Sequence, residues 1–377
     1  MRVVALGGAG GMGRWAARTA VGFGFVEELV LADRDLAAAA AFAQELGPKA
    51  RAVAVDVQDQ GSLVALLRGQ DAVLNTVGPS YRFGLGCLRA AIAAGTSYLD
   101  VCDDWEPTLA MLALHEEAVE AGVTALIGLG ASPGVSNLLA RMAAEELDEV
   151  ESLVTAWDLS LATPERRGPH PSAATVHGLH QLSGQVRVWR GGQALDEGPL
   201  KSLDIDVPGR RLVRLHTIGH PEPVTLPRRY PGLQTCLNAF HAPRLHVGAT
   251  RALGRLIDWG GLSVERAAGL AELLEAGVGG TGGGTGLPAL FAWAEGVKNG
   301  VKMRVVVEVG TMPAGGMGAA TGIPLAVGLK LLAAGQLDRP GVFAPEDVVE
   351  PAPFFGLLAA ELGQPLEDLV AVRRSGG

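Results

Sequence analysis

The stretch Val3-Val4-Ala5-Leu6-Gly7-Gly8-Ala9-Gly10-Gly11-Met12-Gly13-Arg14-Trp15 decides how this chain is read. An apolar run too short for a helix forms a buried strand, a glycine-rich turn follows, and a helical pattern starts at Gly11. Gly8, Gly10 and Gly13 fit the spacing G-x-G-x-x-G, while Gly7, Gly10 and Gly13 fit G-x-x-G-x-x-G. Without side chains the backbone can approach a ligand, and the free N–H groups and partial positive charge of the next helix suit phosphate. A turn selected only for helix–sheet packing has the same spacing, so the flanking sequence must decide.

Working outward, strand and helix patterns alternate. Strands are expected at Arg2–Leu6, Glu28–Asp33, Ala50–Asp56, Asp71–Thr76, Ser97–Val101 and Val123–Leu129. Helices are expected at Gly11–Gly22, Leu36–Leu46, Gly61–Arg68, Phe83–Ala94 and Glu106–Ala121. Such alternation predicts an α/β Rossmann domain, a doubly wound parallel sheet with its ligands at the carboxyl ends of the strands. In that frame Asp33 ends the second strand about twenty residues after Gly13, where a carboxylate accepts both hydroxyls of an adenosine ribose. The expected cofactor is therefore NAD, held by Gly7, Gly8, Gly10, Gly11, Met12, Gly13 and Asp33. Asp56 and Val57 are placed at the adenine, and Thr76, Gly78 and Pro79 at the nicotinamide ribose. Arg34 keeps NADP possible, because a guanidinium there can pair with a 2′-phosphate.

Composition bounds the rest. A chain of 377 residues with 48% hydrophobic content supports two cores. Cys87, Cys102 and Cys236 are scattered and odd in number, which fits a reducing compartment and no disulfide framework. No leader pattern is seen at Met1 and no apolar run reads as a membrane span, so a cytoplasmic protein is expected. The net charge of −9 argues against nucleic acid. Residues 151–262 differ, carrying 13 Lys/Arg against 9 Asp/Glu. Paired arginines such as Arg166-Arg167 and Arg228-Arg229 read as solvated surface, and a single arginine, Arg244, as a fork for a substrate carboxylate.

The loops after the fourth to sixth strands carry the candidate chemistry. Asn75-Thr76-Val77-Gly78-Pro79 leads to Tyr81, and Asp100-Val101-Cys102-Asp103-Asp104-Trp105 gathers carboxylates, one of which reads as a helix cap. Gly128 to Asn137 opens another helix, with Ser132 as cap and Pro133 at its first position. At these residues the chain resembles the saccharopine dehydrogenase-like family, which includes saccharopine reductases, lysine 6-dehydrogenases and carboxynorspermidine dehydrogenases. The resemblance rests on the glycine turn, on Tyr98-Leu99-Asp100, on Gly130-Ala131-Ser132-Pro133-Gly134-Val135-Ser136-Asn137-Leu138-Leu139, and on Thr321–Ala326 with Gly341–Glu346. It departs at Ser132, where many saccharopine reductases are acidic.

The resemblance implies a Rossmann domain over residues 1–133, completed by returning helices in 317–377. Between them, 134–316 form an α+β substrate and dimerisation domain with a mixed sheet. It also implies an oxidoreductase acting on a C–N bond of an amino-acid-derived small molecule, and a homodimer. Deprotonating an amine needs a base, for which Asp103, Tyr81 and His177 are the candidates, with Ser132 and Thr175 as substrate contacts. Two rivals stand beside it: a redox-silent dinucleotide sensor, and an enzyme that condenses a polyamine adduct reductively.

In the middle domain strands are expected at Glu151–Ser160, Val186–Arg190, Gln193–Leu195, Arg210–Leu215, Pro223–Leu226 and Met303–Val309. Helices are expected at His241–Leu256 and Val264–Ala276. His170, His177, His180, His216, His220, His241 and His246 lack a metal-ligand arrangement, so no metal is expected. Gly277–Gly286 reads as a connection or a lid.

Overall fold

A computed structural model describes residues 1–161, 173–210, 212–277, 286–311 and 313–376. In chain order the described strands are β1 (Arg2–Leu6), β2 (Glu28–Asp33), β3 (Ala50–Ala54), β4 (Ala72–Asn75), β5 (Ser97–Asp100), β6 (Thr124–Leu126), β7 (Glu149–Asp158) and β8 (Val186–Arg190). There follow β9 (Gln193–Glu197), β10 (Ser202–Asp206), β11 (Leu212–Thr217), β12 (Thr235–His241), β13 (Leu290–Lys298), β14 (Val301–Val309), β15 (Gly341–Phe343) and β16 (Val370–Gly376). The chain divides into two compact units, Met1–Leu138 with Pro313–Leu366, and Leu139–Met312 with Glu367–Gly377.

The first unit holds a seven-stranded parallel sheet in the order β15-β6-β5-β4-β1-β2-β3. Val3–Leu6 and Leu29–Ala32 are buried throughout, as strands covered on both faces require. The order reverses between β1 and β4, so the crevice for a ligand opens there. The expected helix Glu106–Ala121 is two, Trp105–Leu112 and His115–Glu120. Ser80–Ala94 starts earlier than expected, which moves Tyr81 from a loop into a helical first turn.

β15 was not expected; it extends the sheet beyond β6. Gly316–Ala333 is long and apolar enough to cross a bilayer, contrary to the sequence expectation, but most of it is buried inside the fold. It lies so close to the first helix, Gly11–Val21, that a Cβ on Gly322 would come within 2.4 Å of the Met12 carbonyl oxygen. Its apolar character serves helix packing.

The second unit is a nine-stranded mixed sheet. Its main path is β10-β11-β12-β7-β13-β14-β16, with β8 on β12 and β9 on β8, and β12 runs parallel to β7. Val154, Val188, Leu215, Leu237, Phe291 and Val306 form its core. The Gly191-Gly192 turn closes β8 on β9 with both residues at positive φ.

Pro223–Leu226, expected as a strand, lies in the helix Glu222–Arg229. Pro223 sits in its first turn, where the missing N–H costs no helical bond, and Leu226 is fully buried. His241 ends β12 rather than opening a helix, and the helix runs Arg244–Asp258. The last strand also corrects the sequence expectation that all of 317–377 returns to the first unit. β16 pairs with β14, Arg373 donates to the buried Glu308 at 2.9 Å, and Arg374 forks onto Glu146 at 2.8 and 2.6 Å. Arg166, Arg167, His170, Arg211 and most of Gly277–Gly286 lie outside the described residues.

Candidate dinucleotide and catalytic site

The glycine turn is stitched to its neighbours by backbone bonds. Gly7 N–H donates to the Ala32 carbonyl at 2.9 Å, and Gly10 N–H donates back to Gly7 at 2.9 Å. Thr76, just after β4, donates its hydroxyl to the Leu6 carbonyl at 2.9 Å, so it buttresses the turn. A Cβ at Gly13 would come within 2.2 Å of the Gly7 carbonyl oxygen and 2.8 Å of Thr76 Oγ1. Gly10, the N-cap of the first helix, differs. Its φ of −73° suits any residue, and a Cβ there would meet only Gly7 O, at 3.1 Å. Gly13 is therefore demanded by the fold, whereas Gly10 keeps open the space over the helix N-terminus. A bare cradle at a helix start fits a pyrophosphate, and Gly11 and Met12 lie in that first turn.

Asp33 closes the cradle from β2. Its Oδ2 accepts from Ala9 N–H at 3.2 Å and its Oδ1 from Asp35 N–H at 3.1 Å. Each carboxylate oxygen keeps a lone pair for a ribose hydroxyl. Arg34 is exposed beside it. Asp56 is exposed and accepts from Gln58 N–H at 3.0 Å, while Val57 is half-buried against the core. Gly78 is exposed and Pro79 caps Ser80–Ala94.

Beyond the cradle, the carboxyl ends of β4, β5 and β6 converge on one buried group that sequence reasoning did not select. Asn75 and Asp100 are register partners on β4 and β5. Asn75 Nδ2 donates to the Tyr98 hydroxyl at 2.8 Å, and that hydroxyl donates to Asp100 Oδ2 at 2.8 Å. Asp100 Oδ1 accepts from Cys102 N–H at 3.0 Å and from Gly128 N–H at 2.7 Å. Burial pushes the Asp100 carboxyl up to about 6, against the lowering effect of the Cys102 and Gly128 N–H groups and the Tyr98 hydroxyl. The available signal was a polar residue, Asn75 and Asp100, ending each of two adjacent short parallel strands.

That shift has a stability consequence. With a folded pKa near 6 against an ordinary value of 3.8, the favourable contribution is complete below about pH 3.8 and lost as pH rises through about 6. At about 1.4 kcal/mol per pH unit, the loss is roughly 3 kcal/mol. Urea unfolding between pH 4 and 7 is expected to show Asp100→Asn with a flatter pH dependence by about that amount. Parallel profiles for the two proteins would contradict the assignment.

The candidate catalytic residues are distributed over both units. In the first, Asp103 is half-buried and Tyr81 is 49% exposed. Asp104 sits at the N-cap of Trp105–Leu112, yet its carboxylate makes no cap bond. It accepts instead from Tyr81 N–H at 3.0 Å, holding the start of Ser80–Ala94. Ser132 is half-buried on a loop that folds on itself, with Gly130 N–H donating to Pro133 at 2.9 Å and Val135 N–H to Gly130 at 2.9 Å. The helix accordingly begins at Val135, so neither Ser132 as cap nor Pro133 as first residue holds. At Gly134, with φ of +115°, a Cβ would fall 2.4 Å from Gly130 backbone. Asn137 secures this loop, accepting from Gly134 N–H at 2.9 Å and donating to the fully buried Glu346 at 2.8 Å.

In the second unit, Thr175 and His177 lie on the helix Ala173–Gln181, with His177 half-buried. Thr175 donates to Glu272 at 2.8 Å, tying this helix to Val264–Gly277. Arg244 opens its helix, and its side chain lies outside the described residues.

Comparison with known proteins bears on the fold and on the dinucleotide domain. Residues 3–126 match the family model described as the saccharopine dehydrogenase NADP binding domain. A carboxyaminopropylagmatine dehydrogenase of Synechocystis sp. is 24% identical over 404 aligned positions, covering 98% of each chain. The fold is similar to apo saccharopine dehydrogenase (L-Glu forming) of Saccharomyces cerevisiae, with a TM-score of 0.67 at 16% identity over 100% of this chain and 99% of that one. Residues 3–126 thus form a saccharopine dehydrogenase-type nicotinamide dinucleotide domain built on the β1 glycine turn, in a chain that is similar over nearly its whole length to a dehydrogenase.

Proposed function

We propose that the chain oxidises or reduces a C–N bond in a small amino-acid- or polyamine-derived substrate. The observation that carries the reading is the Gly10 cradle closed by Asp33, set in a chain that matches a named dehydrogenase over 98% of its length. When bound, the nicotinamide supplies the hydride acceptor or donor. The protein's part is to orient substrate and handle one proton. Asp103 and Tyr81 in the first unit, and His177 in the second, are the groups assigned to that proton. Ser132, Thr175 and Arg244 are assigned to the substrate, with the Arg244 guanidinium as carboxylate partner. Gly7, Gly8, Gly10, Gly11, Met12 and Gly13 hold the pyrophosphate, Asp33 the ribose, Asp56 and Val57 the adenine side, and Thr76, Gly78 and Pro79 the nicotinamide side.

The test is a turnover screen with NAD and NADP against diamino acids, saccharopine-like adducts and carboxylated polyamine adducts, followed at the nicotinamide absorbance. Turnover with a secondary-amine adduct supports the reading, and the polyamine class follows if those adducts are preferred. Tight binding of NADH with no turnover on any of them makes the chain a dinucleotide sensor instead.

A symmetric homodimer is part of the same proposal. Light scattering at micromolar concentration is expected to give twice the chain mass of 38.8 kDa. A value equal to the single chain would discard it.

A further inference from the structure

The buried bonds around Asp100 all point one way. Val77 N–H donates to Asn75 Oδ1 at 3.0 Å, Asn75 Nδ2 donates to Tyr98, and the Tyr98 hydroxyl donates to Asp100. Asn75, Tyr98 and Asp100 are each at most 3% exposed, so water does not supply substitutes for these partners. The carboxylate is thus the terminal acceptor of a relay that starts in the loop after β4. It also receives Cys102 N–H after β5 and Gly128 N–H after β6. One ionised group therefore sets three adjacent loops at the carboxyl edge of the sheet, where a doubly wound fold places its ligand.

A proton on Asp100 breaks this arrangement whichever oxygen takes it. On Oδ1, the new O–H confronts two backbone N–H donors. On Oδ2, it donates to Tyr98, whose own hydroxyl proton must then turn toward Asn75. There it meets an N–H donor, unless the Asn75 amide turns over and withdraws its oxygen from Val77 N–H. Either way a backbone donor at the edge loses its acceptor.

We propose that Asp100 is a positioning residue whose ionised form is required for tight dinucleotide binding, so that binding is linked to release of a proton. This rests on the dinucleotide reading given above. The titratable groups facing Asp100 are Tyr98 on its own strand, Cys102 and Asp103 on the following loop, and Cys87 from Ser80–Ala94. Burial pushes the Cys87 thiol up to about 12, and the Tyr98 hydroxyl and Cys102 thiol also upward, so these three stay protonated across the range where Asp100 titrates.

Calorimetric titration of the full-length protein with NAD between pH 5 and 8, in two buffers of different ionisation enthalpy, tests the linkage. In the wild type, Kd is expected to rise about tenfold from pH 7 to pH 5, since only about a tenth of Asp100 is ionised at pH 5. Binding near pH 6 is expected to release about half a proton. Asp100→Asn should bind with the weakened Kd of the low-pH wild type at every pH and release none. Tyr98→Phe keeps the titrating group but cuts the relay to Asn75, and should also flatten the profile; it decides the matter if the Asp100 variant does not fold. A pH-independent wild-type Kd with clear binding overturns this inference and leaves the dinucleotide reading standing, as does an unchanged profile in a folded variant. No NAD binding at any pH overturns both.

Discussion

Replacing Gly10 by Val is expected to raise the dinucleotide Kd at least roughly a hundredfold, about 2.7 kcal/mol, with little change in thermal stability. The φ of −73° accepts a side chain, and the added Cβ would meet only the Gly7 carbonyl, at 3.1 Å, so the turn can give by a few tenths of an ångström. The methyl groups beyond it would stand over the helix N-terminus and hold a pyrophosphate away from the free N–H groups. Losing one or two such charge-assisted bonds accounts for the size of the effect, at about 1.5–3 kcal/mol each. Gly13→Ala is the contrasting variant. Its Cβ would lie 2.2 Å from a backbone oxygen, so β1 and the first helix cannot keep their spacing, and the melting temperature is expected to fall by many degrees. Fluorescence titration with NADH and circular-dichroism melts separate the two. A folded Gly10→Val protein that binds NADH normally would refute the placement of the site.

Cofactor choice is expected to turn on Asp33. The matched family model carries NADP in its description, whereas the Asp33 carboxylate favours NAD. Its two oxygens are held toward the turn by Ala9 and Asp35 N–H, at 3.2 and 3.1 Å, so the side chain is positioned rather than swung away. A neutral ribose hydroxyl pair gains charge-assisted bonds there, while a 2′-phosphate brings about two negative charges against the carboxylate. The expected NAD preference is at least about tenfold, about 1.4 kcal/mol. Asp33→Ser removes the repulsion and leaves the exposed Arg34 to pair with the phosphate, so selectivity is expected to move toward NADP by a similar factor. Dissociation constants for both cofactors on both proteins decide it. A wild type that already prefers NADP would show that Arg34 outweighs Asp33.

Local pattern carried much of the first unit. β1 and β2 each hold a short uninterrupted apolar run, the glycine turn follows β1 directly, and Asp33 falls where the β2 end must lie, so strand, turn and cofactor class could be read without tertiary information. The Gly191-Gly192 turn between β8 and β9 has an equally local cause, because a two-residue turn with both φ positive selects glycine. An equivalent signal was overlooked at Asn299-Gly300, both at positive φ, which joins β13 to β14.

What the sequence alone determined, then, is the set of elements whose cause lies within a few neighbouring residues: the alternating strands and helices, the phosphate turn and the acid at the end of β2. Tertiary structure decided everything that depends on which distant segments meet. β12 carries a polar residue, Asn238, at its buried centre, where its amide donates to Thr155 and Glu222 at 2.9 Å each, partners brought from distant segments. The C-terminal strand joins the second unit because Glu308 and Glu146 wait for Arg373 and Arg374. Asp100 looked like one acid among several in Asp100–Asp104. Its distinct chemistry comes first from burial beneath three strand ends, with the Gly128 N–H brought from after β6 to join the nearby Tyr98 and Cys102 donors, and that burial is set by the packing of distant strands.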